Sequence, residues 1–169
     1  MSALVIGAGV AAAAWLASGS SSRGRRSRPW VRAWRLEEFT RSATTAAKGI
    51  PNVPSAPELR SLEQLIDHVL DPLAAAVGVD AIFVSSGYRS KALNAAVGGK
   101  PASQHVYGEA ADIQVAGLSP MAVAGVIRKL GLPVDQVLVE PTWVHVSYSS
   151  RQRRQFLRWS PDKGDWTPF

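Results

Sequence analysis

The sequence predicts an α+β domain in which helices pack on a small, mainly antiparallel sheet. Helical patterns come first along the chain, and short strands of alternating apolar residues follow them. The connections between these strands are short. A parallel, doubly wound sheet would need a more regular alternation of strands and helices than this chain shows.

In the first half of the domain, the sequence predicts two helices and a strand. Arg35–Gly49 predicts a short helix that ends near its final glycine, and a proline-rich extended connection follows it. Pro57–Gly78 is the clearest helix, because its apolar residues recur at steps of three and four up to a glycine stop. His68 lies off that apolar stripe, so we predict a solvated helix residue. Ala81–Ser90 predicts a buried strand that runs into a glycine turn.

The second half predicts one helix between strands. Lys91–Gly99 is typical of a short helix or a turn, and Ala111–Gly117 alternates as a strand. Ser119–Gly131 predicts an amphipathic helix with its serine as N-cap and its glycine past the end. Gln136–Tyr148 predicts two strands on either side of a Pro-Thr pair.

Length and composition suit one globular domain with a tail. The chain has 169 residues, of which 46% are hydrophobic and 19% are charged. It has no cysteine, which excludes disulfides, thiolate catalysis and cysteine-based zinc fingers. A metal ion must therefore be held by His, Asp or Glu. We predict an apolar segment at 1–17, an Arg/Ser-rich linker at 18–34, the main domain at 35–150 and a basic tail at 151–169.

The net charge of +6 is concentrated at the two ends of the chain. The clustered arginines are Arg23, Arg25, Arg26, Arg28, Arg32 and Arg35, then Arg151, Arg153, Arg154 and Arg158. Such clusters favour contact with nucleic acid, anionic lipid or a cell-wall polymer, and they are equally typical of a solvated surface. Trp30 and Trp34 among the first arginines are the best support for nucleic acid. Because no recognition motif accompanies them, we do not expect a specific nucleic-acid ligand.

Ala3–Ala17 is an uncharged, mostly apolar run of 15 residues. Gly7, Gly9 and Ala12 imitate a dinucleotide fingerprint, but the next acidic residues lie beyond the arginine-rich linker, which argues against that function. The run has the length of a secretory core without a basic residue before it, and it is shorter than the roughly 20 residues that span a bilayer. A membrane anchor, an atypical signal and a hydrophobic peg in a larger assembly are the open interpretations.

His105, Asp112 and His145 are the candidate metal ligands. A catalytic zinc takes three protein ligands from histidine nitrogen and carboxylate oxygen and leaves a fourth position for water. Strand parity supports the group, because Asp112 and His145 each alternate with apolar neighbours that the core requires.

Glu140 is the candidate general base. If a two-residue link joins the last two strands, Glu140 lies opposite Trp143 and shares a face with His145. A three-residue connection would reverse this parity, and proline is not usual in the favoured two-residue hairpin turns.

The stretches "SGYRS", "SQHVYGEAADI" and "WVHVSY" together resemble the zinc D-alanyl-D-alanine carboxypeptidase family, whose fold is shared with the Hedgehog signalling domain. Ser103–Asp112 meets the pattern S-x-H-x-x-G-x-A-x-D, and Trp143–His145 meets W-x-H. The resemblance covers about Leu36–Tyr148. It implies zinc on the three candidate ligands and a peptidoglycan stem peptide as substrate.

The resemblance also implies roles for residues around the ligands. Arg89 would bind a substrate carboxylate or carbonyl oxygen. The side chains that would line the substrate site are Arg89, Ser103, Gln104 and Trp143. Many family members carry a catalytic carboxylate three positions before the last histidine, where this chain has Thr142, so Glu140 is the available substitute.

Two hypotheses follow. The first is a zinc peptidase of carboxypeptidase or endopeptidase type, located in the periplasm, outside the cell, at the cell wall or in a phage virion. The alternative is a non-catalytic zinc-binding module that serves attachment or assembly, for example in a phage particle.

Overall fold

The computed structural model describes residues 32–169, which form a six-stranded sheet with packed helices. The strands are β1 Ile82–Ser86, β2 Ala110–Val115, β3 Gln136–Val139, β4 Val144–Ser147, β5 Gln155–Ser160 and β6 Asp165–Pro168. Their order across the sheet is β1-β2-β4-β3-β5-β6. Every neighbouring pair is antiparallel except β3 and β5. The prediction of an α+β fold with a mainly antiparallel sheet is confirmed.

The region predicted as one short helix, Arg35–Gly49, contains two. The helices within residues 32–169 are α1 Leu36–Thr40, α2 Ala43–Lys48, α3 Ala56–Leu65, a π-helix Ile66–Leu70, α4 Asp71–Val77, α5 Lys91–Ala96, a 3₁₀-helix Gln104–Tyr107 and α6 Pro120–Lys129. The backbone is extended at Arg41 and Ser42, which separates α1 from α2. Gly49 ends α2 in the left-handed conformation, with φ of 63°.

The long predicted helix is interrupted by the π-helix just before Pro72. Proline has no N–H to continue the ladder, and its ring crowds the carbonyl four residues back. The N–H of Asp71 instead reaches the carbonyl of Ile66, five residues back. The apolar stripe continues through the wider turn. Its fully buried members are Leu62, Leu65, Ile66, Val69, Leu70 and Leu73.

One face of the sheet supplies the core, and we call the opposite face the outer face. Ile113 of β2 and Val144 and Val146 of β4 are fully buried in the core. Asp112 pairs directly with His145, so both lie on the outer face. Burying one Val, Ile or Leu contributes about 1.5–3 kcal/mol, and a one-residue slip of a strand would expose all of its core residues. Hydrophobic alternation therefore places both polar side chains on the outer face.

The segment predicted as a basic tail, 151–169, belongs to the sheet, so that prediction needs correction. β5 pairs in parallel with β3, and β6 pairs with β5. Phe156 and Phe169 pack edge to face with centroids 6.3 Å apart, and the Arg128 guanidinium of α6 lies over both rings. The segment was interpreted from its arginines, and the strand pattern that follows them was overlooked.

Arg32 and Trp34, just before α1, contact the rest of the domain. Trp34 is fully buried, with its ring centroid 5.9 Å from that of Phe39. Trp34 therefore does not form the exposed surface that would support nucleic-acid binding. Arg32 donates to the carbonyl of Ile82, which satisfies part of the free edge of β1.

Within residues 32–169, no helix is long and apolar enough to cross a membrane. The predicted apolar segment at 1–17, most of the predicted linker and Trp30 lie outside the described residues.

Candidate functional site

Three side chains from separate elements meet on the outer face of the sheet. His105 comes from the 3₁₀-helix, Asp112 from β2 and His145 from β4. His105 Nε2 lies 3.2 Å from Asp112 Oδ1 and 3.1 Å from His145 Nδ1, and the last two atoms are 3.0 Å apart. The structure brings together all three predicted ligands. Among residues 32–169, they are the one group of such side chains with the geometry to hold a metal ion.

Proton counting shows that this triangle is not a set of ordinary hydrogen bonds. His105 Nδ1 lies 2.6 Å from the carbonyl oxygen of Gly87, which can only accept, so Nδ1 carries the proton. In the neutral ring, Nε2 is then an acceptor that faces another acceptor, Asp112 Oδ1. Only His145 Nδ1 can bring a proton to the triangle. A cation among the three atoms would accept one lone pair from each of them.

The electrostatics favour the protonation states that bind metal. Burial acts to raise the pKa of Asp112, but the two imidazoles beside it, His105 and His145, hold that pKa well below its usual range. Burial lowers the pKa of His145. A metal ligand must be deprotonated, and these shifts favour a carboxylate and a neutral imidazole at neutral pH.

The donor set fits zinc. Zinc is bound by histidine nitrogen and carboxylate oxygen at about 2.0–2.2 Å, which separates tetrahedral ligand atoms by about 3.3–3.6 Å. The three observed separations of 3.0–3.2 Å need little expansion to reach that range. Three protein ligands leave the fourth position open, as catalytic zinc sites do.

Arg89 and Ser86 orient the aspartate. Arg89 Nη2 donates to Asp112 Oδ2 at 2.7 Å, and its Nε donates to Ser86 Oγ at 2.9 Å. A bulge at Ser85 shifts the register, so that Ser86 pairs with Asp112. Bulges of this kind re-aim side chains near sites. The role expected for Arg89 was in substrate binding, and its observed partner is the candidate ligand Asp112.

Two glycines allow the backbone to present His105. An added Cβ on Gly87 would lie 2.6 Å from the carbonyl oxygen of Phe39, so only glycine permits the close approach that brings its own carbonyl to His105. Gly108 ends the 3₁₀-helix with φ of 69°, and its added Cβ would lie 2.4 Å from the carbonyl of Glu58. Gly108 was visible in the motif, whereas the part played by Gly87 was not.

Glu140 lies at the end of β3 in the predicted register. Leu138 pairs with His145, and the Glu140 N–H donates to the carbonyl of Trp143 at 3.0 Å. The two-residue link is therefore confirmed, and Glu140 shares the outer face with His145. Burial, followed by the charge of Asp112, raises the pKa of Glu140. Trp143 is half-buried at the start of the neighbouring strand.

Gln104 does not turn towards the ligand triangle. Its side chain is buried, and its Nε2 donates to Asp135 at 2.9 Å and to Glu109 at 3.3 Å. Asp135 is fully buried and is clamped by Arg153 Nη2 at 2.6 Å. The expectation that Gln104 lines the substrate site is corrected by these contacts. Ser103 is half-buried at the start of the 3₁₀-helix.

His68 differs from its prediction as a solvated residue. Its ring is half-buried and stacks on Tyr148, with centroids 4.6 Å apart and planes inclined by 18°. The stacking depends on the position of Tyr148 just after β4. No pattern within the helix that contains His68 indicates that position.

Comparison with known proteins agrees with this geometry. No curated protein matches the sequence. The family model described as peptidase M15 matches residues 32–147, which is more than half of the chain and includes all three residues of the triangle. The chain therefore belongs to the peptidase M15 family, as the resemblance of its motifs to zinc D-alanyl-D-alanine carboxypeptidases predicted.

Proposed function

We propose that this protein is a zinc-dependent peptidase that hydrolyses peptide bonds in peptidoglycan stem peptides, as a carboxypeptidase or an endopeptidase. The observation that carries the proposal is the triangle of His105, Asp112 and His145, in which three ligand atoms converge with too few protons to bond one another. Family membership supports metallopeptidase activity. The choice of peptidoglycan rests on the resemblance of the motifs.

In this proposal the ligand atoms are His105 Nε2, Asp112 Oδ1 and His145 Nδ1. Bound there, zinc supplies a Lewis acid for the peptide carbonyl and lowers the pKa of water to about 7. Arg89 holds Asp112 in its ligating orientation through Oδ2. The guanidinium has five N–H donors, so it keeps others for an oxygen of the substrate.

Glu140 is our candidate for the general base. Its carboxylate would accept a proton from the attacking water and pass it to the nitrogen of the leaving amine. Its place on the outer face beside His145 supports this role, and so does a pKa raised by burial, because a stronger base accepts a proton more readily. Trp143 and Ser103 are our candidates for the walls of the peptide site.

The proposed substrate places the protein in the periplasm, outside the cell, at the cell wall or in a phage virion. Three exposed arginines, Arg151, Arg154 and Arg158, are suited to contact with an anionic wall polymer or an anionic membrane. The apolar segment at 1–17 is a candidate attachment element in either setting.

Defined peptidoglycan fragments test the zinc peptidase. The protein is incubated with linear and cross-linked stem peptides, with and without a chelator, and the products are weighed by mass spectrometry. Loss of a terminal residue identifies a carboxypeptidase, and opening of a cross-link identifies an endopeptidase. His105→Ala should remove both zinc uptake and hydrolysis, while His68→Ala retains both. Hydrolysis by zinc-free His105→Ala would overturn the proposal.

Glu140→Gln tests the base. An amide cannot accept the proton, so kcat should fall by about 10²- to 10⁴-fold while zinc content is unchanged. Glu37→Gln, at an exposed position in α1, is the matched control and should keep full turnover. Full turnover in Glu140→Gln would show that another group is the general base. Zinc binding without any turnover in the unmodified protein would favour the attachment or assembly module.

A further inference from the structure

A polar cavity of about 340 Å³ lies beside the ligand triangle, between β1 and the turn that joins α1 to α2. The polar residues that line it include Arg41, Ser42, Thr44, Ser85, Ser86 and Arg89. The bulge in β1 contributes both Ser85 and Ser86. The volume is within the usual range for sites that hold small ligands or parts of larger ones.

The charged side chains that line this cavity are all positive. Two guanidinium groups and several hydroxyls border it, and no carboxylate is among its lining residues. Arg41 is held in place, because its Nη2 donates to the carbonyl of Val84 at 2.8 Å and its guanidinium lies 4.7 Å from the centre of the Phe83 ring. These contacts leave further N–H donors of Arg41 free for an anion. Paired arginine forks match the geometry of carboxylates.

Arg89 connects the cavity with the ligand triangle. It lines the cavity, and its Nη2 contacts Asp112 Oδ2 at 2.7 Å. A group bound in the cavity therefore lies one side chain away from the proposed reaction centre. A substrate that fills the cavity would extend from there towards the triangle along the outer face.

We propose that this cavity binds a carboxylate of the substrate, and that Arg41 is the residue that selects it. The inference rests on the proposed peptidase function, since it assigns the cavity to the peptide that is cleaved. Arg41 lies outside the motifs that carry the family resemblance, in the turn between α1 and α2. Arg41 thus determines which peptides bind well, while Arg89 positions Asp112.

A series of stem peptides tests this selection, each with one of its carboxylates converted to an amide. Binding by calorimetry and kcat/KM are measured for the unmodified protein, Arg41→Gln, Arg41→Lys and the control Arg60→Gln, which is exposed on α3. In the unmodified protein, one amidation should weaken binding about ten-fold or more. Arg41→Gln should lose this preference through KM, Arg41→Lys should restore part of it, and Arg60→Gln should keep it.

Thr44→Asp is a second variant that does not remove an arginine contact. Its carboxylate would enter the cavity and repel the anion, so binding of the acidic peptide should fall while binding of the amidated peptide is unchanged. Equal binding of all peptides by the unmodified protein would overturn the inference, as would an unaltered preference in both Arg41→Gln and Thr44→Asp. Absence of cleavage would overturn the proposed function instead, because the binding preference is measured separately.

Discussion

At the scale of single residues, one backbone carbonyl determines the protonation of the ligand triangle. Gly87 accepts from His105 Nδ1 and so leaves Nε2 free to bind a metal. A hydrogen-bond acceptor on the ring nitrogen that does not bind the metal fixes the tautomer and the orientation of a ligating histidine. Gly87 can approach His105 because no side chain separates it from Phe39.

Gly87→Ala should therefore lower both the free energy of unfolding and the affinity for zinc. The new Cβ would lie 2.6 Å from the Phe39 carbonyl oxygen, and overpacking costs about 1–3 kcal/mol. Displacing the Gly87 carbonyl from His105 should weaken zinc binding about 10- to 100-fold. Denaturant unfolding and competition with a chelator measure the two effects.

Gly125→Ala is the control for this change. Gly125 lies in α6 with nothing within 4 Å of an added Cβ, so alanine should be neutral or should stabilise by up to about 1 kcal/mol. Unchanged zinc affinity in Gly87→Ala would show that the carbonyl is dispensable.

At the scale of elements, one buried carboxylate ties three segments together. Asp135 precedes β3, and it accepts hydrogen bonds from Gln104 beside His105 and from Arg153 before β5. Burial acts to raise the pKa of Asp135, but the hydrogen bonds and charge of Arg153 lower it to about 2. The loop that presents His105 is thus braced by a residue beyond the family match.

Asp135→Asn should destabilise the protein at neutral pH by about 1–3 kcal/mol, and less in acid. The folded pKa of about 2 lies below the usual aspartate value of about 3.9. The carboxylate therefore contributes stability that is complete above about pH 4 and is lost as the pH falls towards 2. Urea unfolding at several pH values measures the gap between variant and parent in the free energy of unfolding. Asp162→Asn, at an exposed turn, should show no gap, and a gap for Asp135→Asn that does not change with pH would contradict the assignment.

At the scale of the whole molecule, the C-terminal hairpin completes the sheet. The family match ends at residue 147, yet β5 and β6 extend the sheet beyond β3. Phe156 and Phe169 join the edge of the core, and Arg128 of α6 covers them. The domain therefore includes β5 and β6 and does not stop near residue 150.

Truncation after Ser150 should destabilise the protein by about 3–5 kcal/mol or more. It removes the strand that pairs with β3, the charged partner of Asp135, and the side chains of Phe156 and Phe169 that pack against the core. Burial of an aromatic side chain contributes up to about 1.5–3 kcal/mol, so the loss of two accounts for an effect of that size. Thermal unfolding followed by circular dichroism measures the loss. Trp159→Ala is the control, because Trp159 is 42% exposed and its contact with Trp166 should contribute at most about 1.5 kcal/mol. If the truncated protein were as stable as its parent, the prediction of a basic tail at 151–169 would stand.

The predictions that held depend on short-range patterns. Alternation along β2 and β4 placed Asp112 and His145 on one face, and the two-residue link placed Glu140 with them. These positions follow from the period of a strand and from the length of a turn, which are properties of neighbouring residues.

The predictions that failed depend on contacts between distant residues. Trp34 is a core residue, His68 stacks on Tyr148 and Gln104 binds Asp135, although each was interpreted from its own surroundings in the chain. The strands in 151–169 were missed for the same reason, because β5 is specified by its pairing with β3 more than by its own composition.

The sequence by itself indicated the candidate ligands His105, Asp112 and His145, the face of the sheet that Asp112 and His145 share, and the family. Alternation along a strand and the spacing of motifs are properties of neighbouring residues, so they can be recognised without the fold. Only the tertiary structure decided which oxygen of Asp112 faces the histidines, which ring nitrogen of His105 is free, and that Arg153 braces the site from the end of the chain. The physical reason is that hydrogen-bond partners are selected by distance in space, and the chain does not encode that distance until its core is packed.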